Sequence, residues 1–315
     1  MSTNAAVARA VIVTRSHEED RAHRIRMIVG YCLAIALVLG LAVYGANYYT
    51  LGAADRPFSP KHVLLKPSGS IGIKLGFLGF VIFFTIFLYP LRKRWSWLGK
   101  LGQTKHWLDI HVLLGLTAPF VIAFHSAFKF RGFAGIAFWI MVAVSASGIV
   151  GRYLYSQVPR RVNAAELSIK ELQEMQAKLA QELEAQRLLP QQDLRSLLRL
   201  PSQEAANKMF ILIALPYMMV LDAVRVFRIA ALRRHALGFA EKVTTLGGFL
   251  KTGHRDLERA IAMAREEATT AKRMLFLSRS QQVFHLWHVV HKPFSYTFAI
   301  LALIHIGVVL SLGFM

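Results

Sequence analysis

"HVLLGLTAPFVIAFH" occupies residues His111–His125, and "HKPFSYTFAILALIH" occupies His291–His305. Each stretch opens and closes on histidine, and in both the two histidines stand 14 positions apart. Only Lys292 is charged between them. An apolar run of about 20 residues is what a bilayer-crossing helix needs. Histidine is costly there without a partner, so an ionisable residue at that depth usually marks function. A helix turns about 100° and rises about 1.5 Å per residue, so the two histidines fall roughly 40° apart on one face and about 21 Å apart along it. Across a hydrocarbon layer about 30 Å thick, one lies near each surface.

The rest of the chain supports a membrane setting. Hydrophobic residues make up 55% of the 315, above the roughly 45–50% of soluble domains, and the excess is gathered in blocks. The net charge of +20 raises nucleic acid as a partner. However, Lys and Arg cluster beside the apolar blocks, the pattern of cytoplasmic loops and anionic-lipid contacts. No familiar nucleic-acid motif is present, so nucleic acid is set aside. Cys32 is the single cysteine. It excludes an internal disulfide, a cysteine-ligated iron–sulfur cluster and a C-x-x-C-H haem attachment. A redox cofactor would have to use other ligands, and the chain has 12 histidines.

Five blocks are long enough to span: Met27–Tyr49, Ser70–Leu91, Leu108–Phe128, Phe133–Tyr155 and Phe294–Phe314, the last helix starting earlier, near Val283. The head "RSHEEDRAHRIR" before the first is too acidic for a signal peptide and has no clear cleavage site, so the span is expected to stay. The segments "LRKRWSWLGKLGQTK" and "GRYLYSQVPRR", and residues 225–279, are strongly basic. Placing them inside puts the N-terminus in the cytoplasm and the loops Thr50–Gly69 and Lys129–Gly132 outside, as expected for a bacterial inner (cytoplasmic) membrane protein. Trp95, Trp97, Trp107 and Trp287 sit at block ends, where interfacial tryptophans belong.

The sequence therefore predicts an all-α integral membrane protein with about five transmembrane helices. A cytoplasmic segment, 1–26, precedes spans one to four in 27–155. A helical cytoplasmic hairpin fills 156–282, and span five lies in 283–315. Apolar spacings of three and four in Ala165–Leu183 and in Leu257–Leu275 suit two seams that could pair as that hairpin. Met209–Leu221, a 13-residue apolar block holding Pro216, is short for a span and is expected at the membrane surface, as an amphipathic or re-entrant segment.

Spans three and five run the same way in this topology. His111 then matches His291 in depth, and His125 matches His305. Two facing helices would offer two bis-histidine sites, each able to hold an iron porphyrin between them. If Met209–Leu221 crossed, span five would reverse and the pairing would exchange, still leaving two sites. Two equal spacings on separate spans favour haem over the competing reading, a proton or metal-ion pathway.

The double H-x13-H pattern on two membrane helices resembles the dihaem pattern of membrane cytochromes b. It is similar to quinol-oxidising cytochrome b and to ferric-reductase-like transmembrane proteins. The resemblance implies a four-helix haem core with His111, His125, His291 and His305 as axial ligands of two non-covalent haems b. It also implies electron transfer across the bilayer. It covers spans two to five, and the long insertion after span four departs from it. Gly115, one turn after His111, would let a flat ring approach, or would simply serve helix packing. Arg152 in "GIVGRYLY" would face haem propionates. Lys129 and Arg131 read more simply as loop charge. His106, His285 and His288 would bind propionates or a quinone headgroup at the interface, or else a third haem between His106 and His285 or His288. His62 lies in the outer loop, and His17, His23, His235 and His254 read as solvated surface residues.

No G-x-G-x-x-G follows a strand, so neither a flavin nor a nicotinamide domain is expected. Electrons would come from quinol in the lipid or from a redox partner subunit steered to the basic hairpin. The alternatives are a self-contained ferric or metal reductase acting at the outer haem and a haem-free transporter or scaffold.

Overall fold

The computed structural model describes residues 2–157, 174, 177, 181, 200–236 and 243–313. Among them the fold is all-helical, with no strand. The helices are α1 (Ser2–Tyr49), α2 (His62–Leu65), α3 (Ser70–Arg92), α4 (Ser96–Gly99), α5 (Thr104–His125), α6 (Gly132–Gln157), α7 (Gln203–Lys208), α8 (Ile211–Ala236), α9 (Arg255–Leu275) and α10 (Leu277–Ser311). Among the described residues five stretches are long and apolar enough to cross a membrane: Glu19–Tyr49, His62–Arg92, Thr104–His125, Gly132–Gln157 and Arg279–Ser311. They correspond to the five blocks read from the sequence, the third stopping at His125 rather than Phe128 and the fifth at Ser311 rather than Phe314. Two helices start well before the predicted spans. α1 runs back through the charged head to Ser2, and α10 begins at Leu277 rather than near Val283. The α10 extension is polar and the α1 extension carries the charged head, so hydropathy alone registers neither.

The chain divides into two compact units, residues 1–152 with 290–315, and residues 153–289. In the first unit α3 and α5 form the closest helix pair. They are antiparallel, with Ile86 beside His111 and Gly72 beside His125. Glycines permit the approach. A Cβ at Gly79 would stand 2.4 Å from Ile122 Cδ1, and one at Gly76 would stand 2.7 Å from the His125 ring. Small residues at a helix contact let the backbones approach closely. Leu75 and Ile82 of α3 are buried with Ala118, Val121 and Phe124 of α5 and with Phe138 and Met141 of α6. Leu37 and Leu41 of α1 and Phe298 of α10 close around them.

Two buried arginines fasten the ends of α3 and α5. After α5 the chain turns with Ala127 (φ 49°) and Phe128 (φ 58°) in the left-handed region, at about 1–2 kcal/mol for each non-glycine residue. Arg56 offsets this. Its guanidinium donates to Ala127 O, to Tyr49 O at 3.0 Å and to Leu51 O at 3.1 Å. At the opposite end Arg92 donates to Thr104 Oγ1 (2.8 Å), Gly99 O (2.9 Å) and Gly102 O (2.8 Å), shaping the basic loop. Oxygen acceptors meet the terminal nitrogens of both guanidiniums, while the buried Arg92 Nε has no partner.

In the second unit α9 buries Leu257, Ala260, Ile261 and Ala264 against Ile229 and Leu232 of α8. The seam predicted in Leu257–Leu275 thus has α8 as its observed partner. The expected partner, Ala165–Leu183, lies outside the described residues but for three isolated positions. Ala206, Ala214, Met218 and Phe276 form a further core. Lys272, 1% exposed, pairs with Asp222, which also accepts from Tyr153 Oη at 2.8 Å and from Arg225 at 3.3 Å. Burial pulls the Lys272 pKa below its usual value, opposed by the hydrogen bond and charge of Asp222. Arg233 grips Glu258 through two bonds, 2.9 and 2.7 Å.

Candidate bis-histidine sites

The four histidines all belong to the first unit, and their surroundings can be built one at a time. Pro90 lies four residues after Ile86 and has no N–H, so the Ile86 carbonyl loses its helical partner. His111 takes that carbonyl: its Nδ1–H donates to Ile86 O at 3.0 Å, while Tyr89 packs on the ring with centroids 5.2 Å apart. His125 Nδ1–H donates to Gly72 O at 2.8 Å, and its ring lies in the space left by Gly76. On α10, His291 Nδ1 is hydrogen-bonded to Ser147 Oγ at 2.7 Å, and that hydroxyl also stands 2.8 Å from Val144 O. His305 stands within electrostatic reach of His125.

The two carbonyl bonds set the tautomer. A carbonyl can only accept, so the ring proton sits on Nδ1 in His111 and His125. The lone pair is then on Nε2. Metal-bound histidines usually have this arrangement, the second nitrogen donating to a carbonyl or hydroxyl that fixes the ring and raises its basicity.

The four fall at two levels. His111, Ile86, Ser147 and His291 occupy one, and His125, Gly72 and His305 the other. His125 beside His305 means that α5 and the 290–311 part of α10 run in the same direction. A reversed α10 would instead bring His291 to His125. No residue from 290 to 313 is buried, although this stretch is almost entirely apolar. Gly115 has its own proline effect: Pro119 cannot donate to the Gly115 carbonyl, and Ser145 Oγ does so at 2.7 Å. A Cβ added at Gly115 would meet nothing within 4 Å, so open space lies beside the α5 face one turn from His111.

No group of three or more His, Cys, Asp or Glu side chains able to hold a metal ion occurs among the described residues. Two histidines per level are too few for a protein-only metal cage. They suit a metal that brings four in-plane donors of its own, as haem iron does, with open space for the flat ring beside a glycine. By donor chemistry both histidine pairs fit haem, and at the His111 level the open space beside Gly115 fits it as well.

The supporting residues differ from expectation in several places. Arg152 pairs with Asp109 at 2.7 Å, and Asp109 also binds His23 Nε2 at 3.0 Å. His23, expected on the surface, is therefore buried. It stacks on His106 with centroids 3.8 Å apart, and His106 bonds Asp20 at 3.3 Å. The helical extension of α1 carries His23 onto α5. His285 is exposed, and His288 Nδ1–H donates to Phe284 O at 3.1 Å. His62 meets Tyr48 Oη at 3.1 Å, and Lys129, Arg131 and His254 are exposed. The side chains of His17 and His235 lie outside the described set.

Two cations were missed. Lys93 is within electrostatic reach of both His111 and Lys292, the neighbour of His291. Partial burial and then the Lys292 charge hold the Lys93 pKa below its usual value. Both lysines lie in basic or histidine-bounded segments already singled out, but nothing in the sequence pairs them. The roles of Ser147 and Gly76 were equally unread. The Gly72, Gly76 and Gly79 spacing, a small-residue stripe on one helix face, was a signal that could have found Gly76.

Compared with known proteins, the chain matches no family model, and no curated protein and no solved structure is similar to it.

Proposed function

We propose that this chain is a b-type dihaem membrane cytochrome. It would carry electrons across a bilayer between a quinone pool or redox partner subunit and an acceptor on the other face. The observation that carries this reading is the common Nδ1–H tautomer of His111 and His125, each donating to a backbone carbonyl of a neighbouring helix, with the His291 ring held at its Nδ1 by Ser147. In His111 and His125 the result is the same, an Nε2 lone pair held in a fixed direction.

His111 with His291 would hold one iron, and His125 with His305 the other. Bound haem supplies reversible one-electron transfer at each level. The protein's part is positional and electrostatic. Ile86 O, Gly72 O and Ser147 Oγ hold imidazole rings in orientation. The hydrogen bonds that the two carbonyls accept make the ligating nitrogens of His111 and His125 more basic. Lys93 and Lys292 would place positive charge at the His111–His291 level, where propionates need cations. Gly115 leaves room for a ring face. The five apolar helices would insert in the bilayer, with the basic segments inside. The basic second unit would offer a docking surface to an acidic carrier, and quinol dissolved in lipid is the other donor consistent with the sequence.

The test is a reduced-minus-oxidised visible spectrum of the purified full-length protein, with a pyridine haemochrome assay of haem per chain. The expected result is about two non-covalent haems b. His111→Ala, His125→Ala, His291→Ala and His305→Ala should each remove about one. A colourless protein from haem-replete cells would overturn the proposal and favour an ion or proton pathway. Turnover of a metal acceptor by the protein alone would identify a self-contained reductase.

A further inference from the structure

α8 is apolar on two opposite sides. One side packs inside the second unit through Ala214, Met218, Ile229 and Leu232. On the other, Ile213, Pro216, Met219, Val220, Ala223, Val226 and Phe227 are all exposed. At 100° per residue these seven fall within an arc of roughly 140°, and Ile213 to Phe227 extends about 21 Å. The only charges between them, Asp222 and Arg225, turn to the packed side, where Lys272 and Tyr153 engage Asp222. A helix that is apolar all round is ordinarily covered on every side.

A loop extends the strip. Leu246 (φ 48°), Gly247 (φ 67°) and Gly248 (φ 88°) are left-handed, and the turn leaves Val243, Leu246, Phe249 and Leu250 between 47 and 67% exposed. The turn is fastened to α8. Arg233 donates to Gly248 O at 3.1 Å and to Phe249 O at 3.4 Å, and a Cβ at Gly248 would stand 2.4 Å from Ala230 O. The Phe249 ring meets Phe227 of the strip edge-on, centroids 5.7 Å apart. Cations rim the far end: exposed Arg234 lies beside Gly247, and exposed Lys251 and Arg255 follow the loop.

We infer that this strip and loop form a membrane-surface anchor that lies in the headgroup region of an anionic bilayer. The chain enters the second unit from one helix able to span and leaves it into another, Gly132–Gln157 and Arg279–Ser311. Lipid is therefore at hand at both ends of the unit. A long apolar face with a cationic rim is what an interfacial helix presents to anionic lipid. The strip goes beyond the short block Met209–Leu221: it reaches Phe227 and recruits a loop more than 15 residues later. It does not depend on what the histidines bind.

The experiment uses full-length protein with Cys32→Ser and single nitroxide-labelled cysteines in place of Val220, Phe227 and Phe249. Ala262, exposed on α9, is the control. The protein is reconstituted in phosphatidylcholine–phosphatidylglycerol vesicles, and accessibility to oxygen and to a soluble nickel chelate is read by power saturation. The expected result is high oxygen and low nickel access at the three strip positions, at a depth of about 5–10 Å, with the reverse at Ala262. In phosphatidylcholine alone, nickel access should rise at Phe249. Nickel access equal to that at Ala262 would overturn the proposal. A depth at the bilayer centre would overturn it in favour of a crossing segment. Shielding from both reagents, seen only in native membranes, would overturn it in favour of a protein partner. No change on removing phosphatidylglycerol would overturn the anionic requirement.

Discussion

Gly76→Ala is the substitution through which the His125 geometry is best tested. The added Cβ would stand 2.7 Å from Cε1, 2.9 Å from Nδ1 and 3.4 Å from Nε2 of the His125 ring. The first two contacts are closer than real Cβ atoms approach. The obstacle is a planar ring held by its bond to Gly72 O, not a free chain end, so the ring must turn. Losing that bond costs about 0.5–1.5 kcal/mol. An off-rotamer ring costs a similar amount, about 0.5–1.5 kcal/mol. Together these make about 1–3 kcal/mol, or roughly a 5- to 150-fold loss of affinity at one site. Helix propensity works the other way, because alanine replaces glycine inside α3 and gains up to about 1 kcal/mol. The fold should hold while one ligand site weakens. The assay is titration of haem into apo-protein in detergent, followed at the Soret band, with thermal unfolding by circular dichroism in parallel. Gly79→Ala is the control on the same helix face. Its Cβ would meet Ile122 Cδ1 at 2.4 Å, the far end of a flexible side chain that can rotate away. The expected result is one weakened and one unchanged site in Gly76→Ala, and two unchanged sites in Gly79→Ala. Two equally tight sites in Gly76→Ala would refute the placement of the His125 ring as the determinant of ligation.

Two further outcomes are expected. Gly115→Ala should raise thermal stability slightly, by about 0.5–1 kcal/mol from helix propensity, because its Cβ meets nothing within 4 Å. It should nevertheless lower haem occupancy at the His111 level, and unchanged occupancy would show that the open space there is not where the ring lies. Acid should loosen the second unit through Glu258. Burial pushes its carboxyl up, but the hydrogen bonds from Arg233 and the Thr252 N–H, with the Arg233 charge, hold it below the usual range. A depressed carboxyl pKa contributes stability above the unfolded value, near 4.3, and loses it as pH falls through the folded value. Glu258→Gln should cost about 1–2 kcal/mol at neutral pH, the partly exposed pair being discounted for solvent. Thermal unfolding followed from pH 7 to 3 should then slope less steeply than wild type, and an identical slope would exclude Glu258 as the titrating group.

The sequence by itself determined the helical class, the five apolar stretches and the two histidine pairs. The first two follow from hydropathy over windows as long as a bilayer is thick. The third follows from helix periodicity, since 14 positions return nearly to the same face whatever the rest of the chain does. Tertiary structure alone decided which atoms act on those histidines. The Ile86 and Gly72 acceptors are backbone carbonyls, which every residue carries, so no residue type announces them. Pro90 explains why Ile86 O is available only once His111 is seen beside it. Ser147 looks like one more small residue in α6 until His291 arrives from 144 positions away. Long-range charge pairing was hidden for the same reason. Arg152 reads as cationic but not as bound to Asp109, and the burial of His23 depends on α1 lying along α5. Periodicity fixes the face on which a residue stands. What that face meets is set by contacts between segments far apart in the chain, and those only the fold supplies.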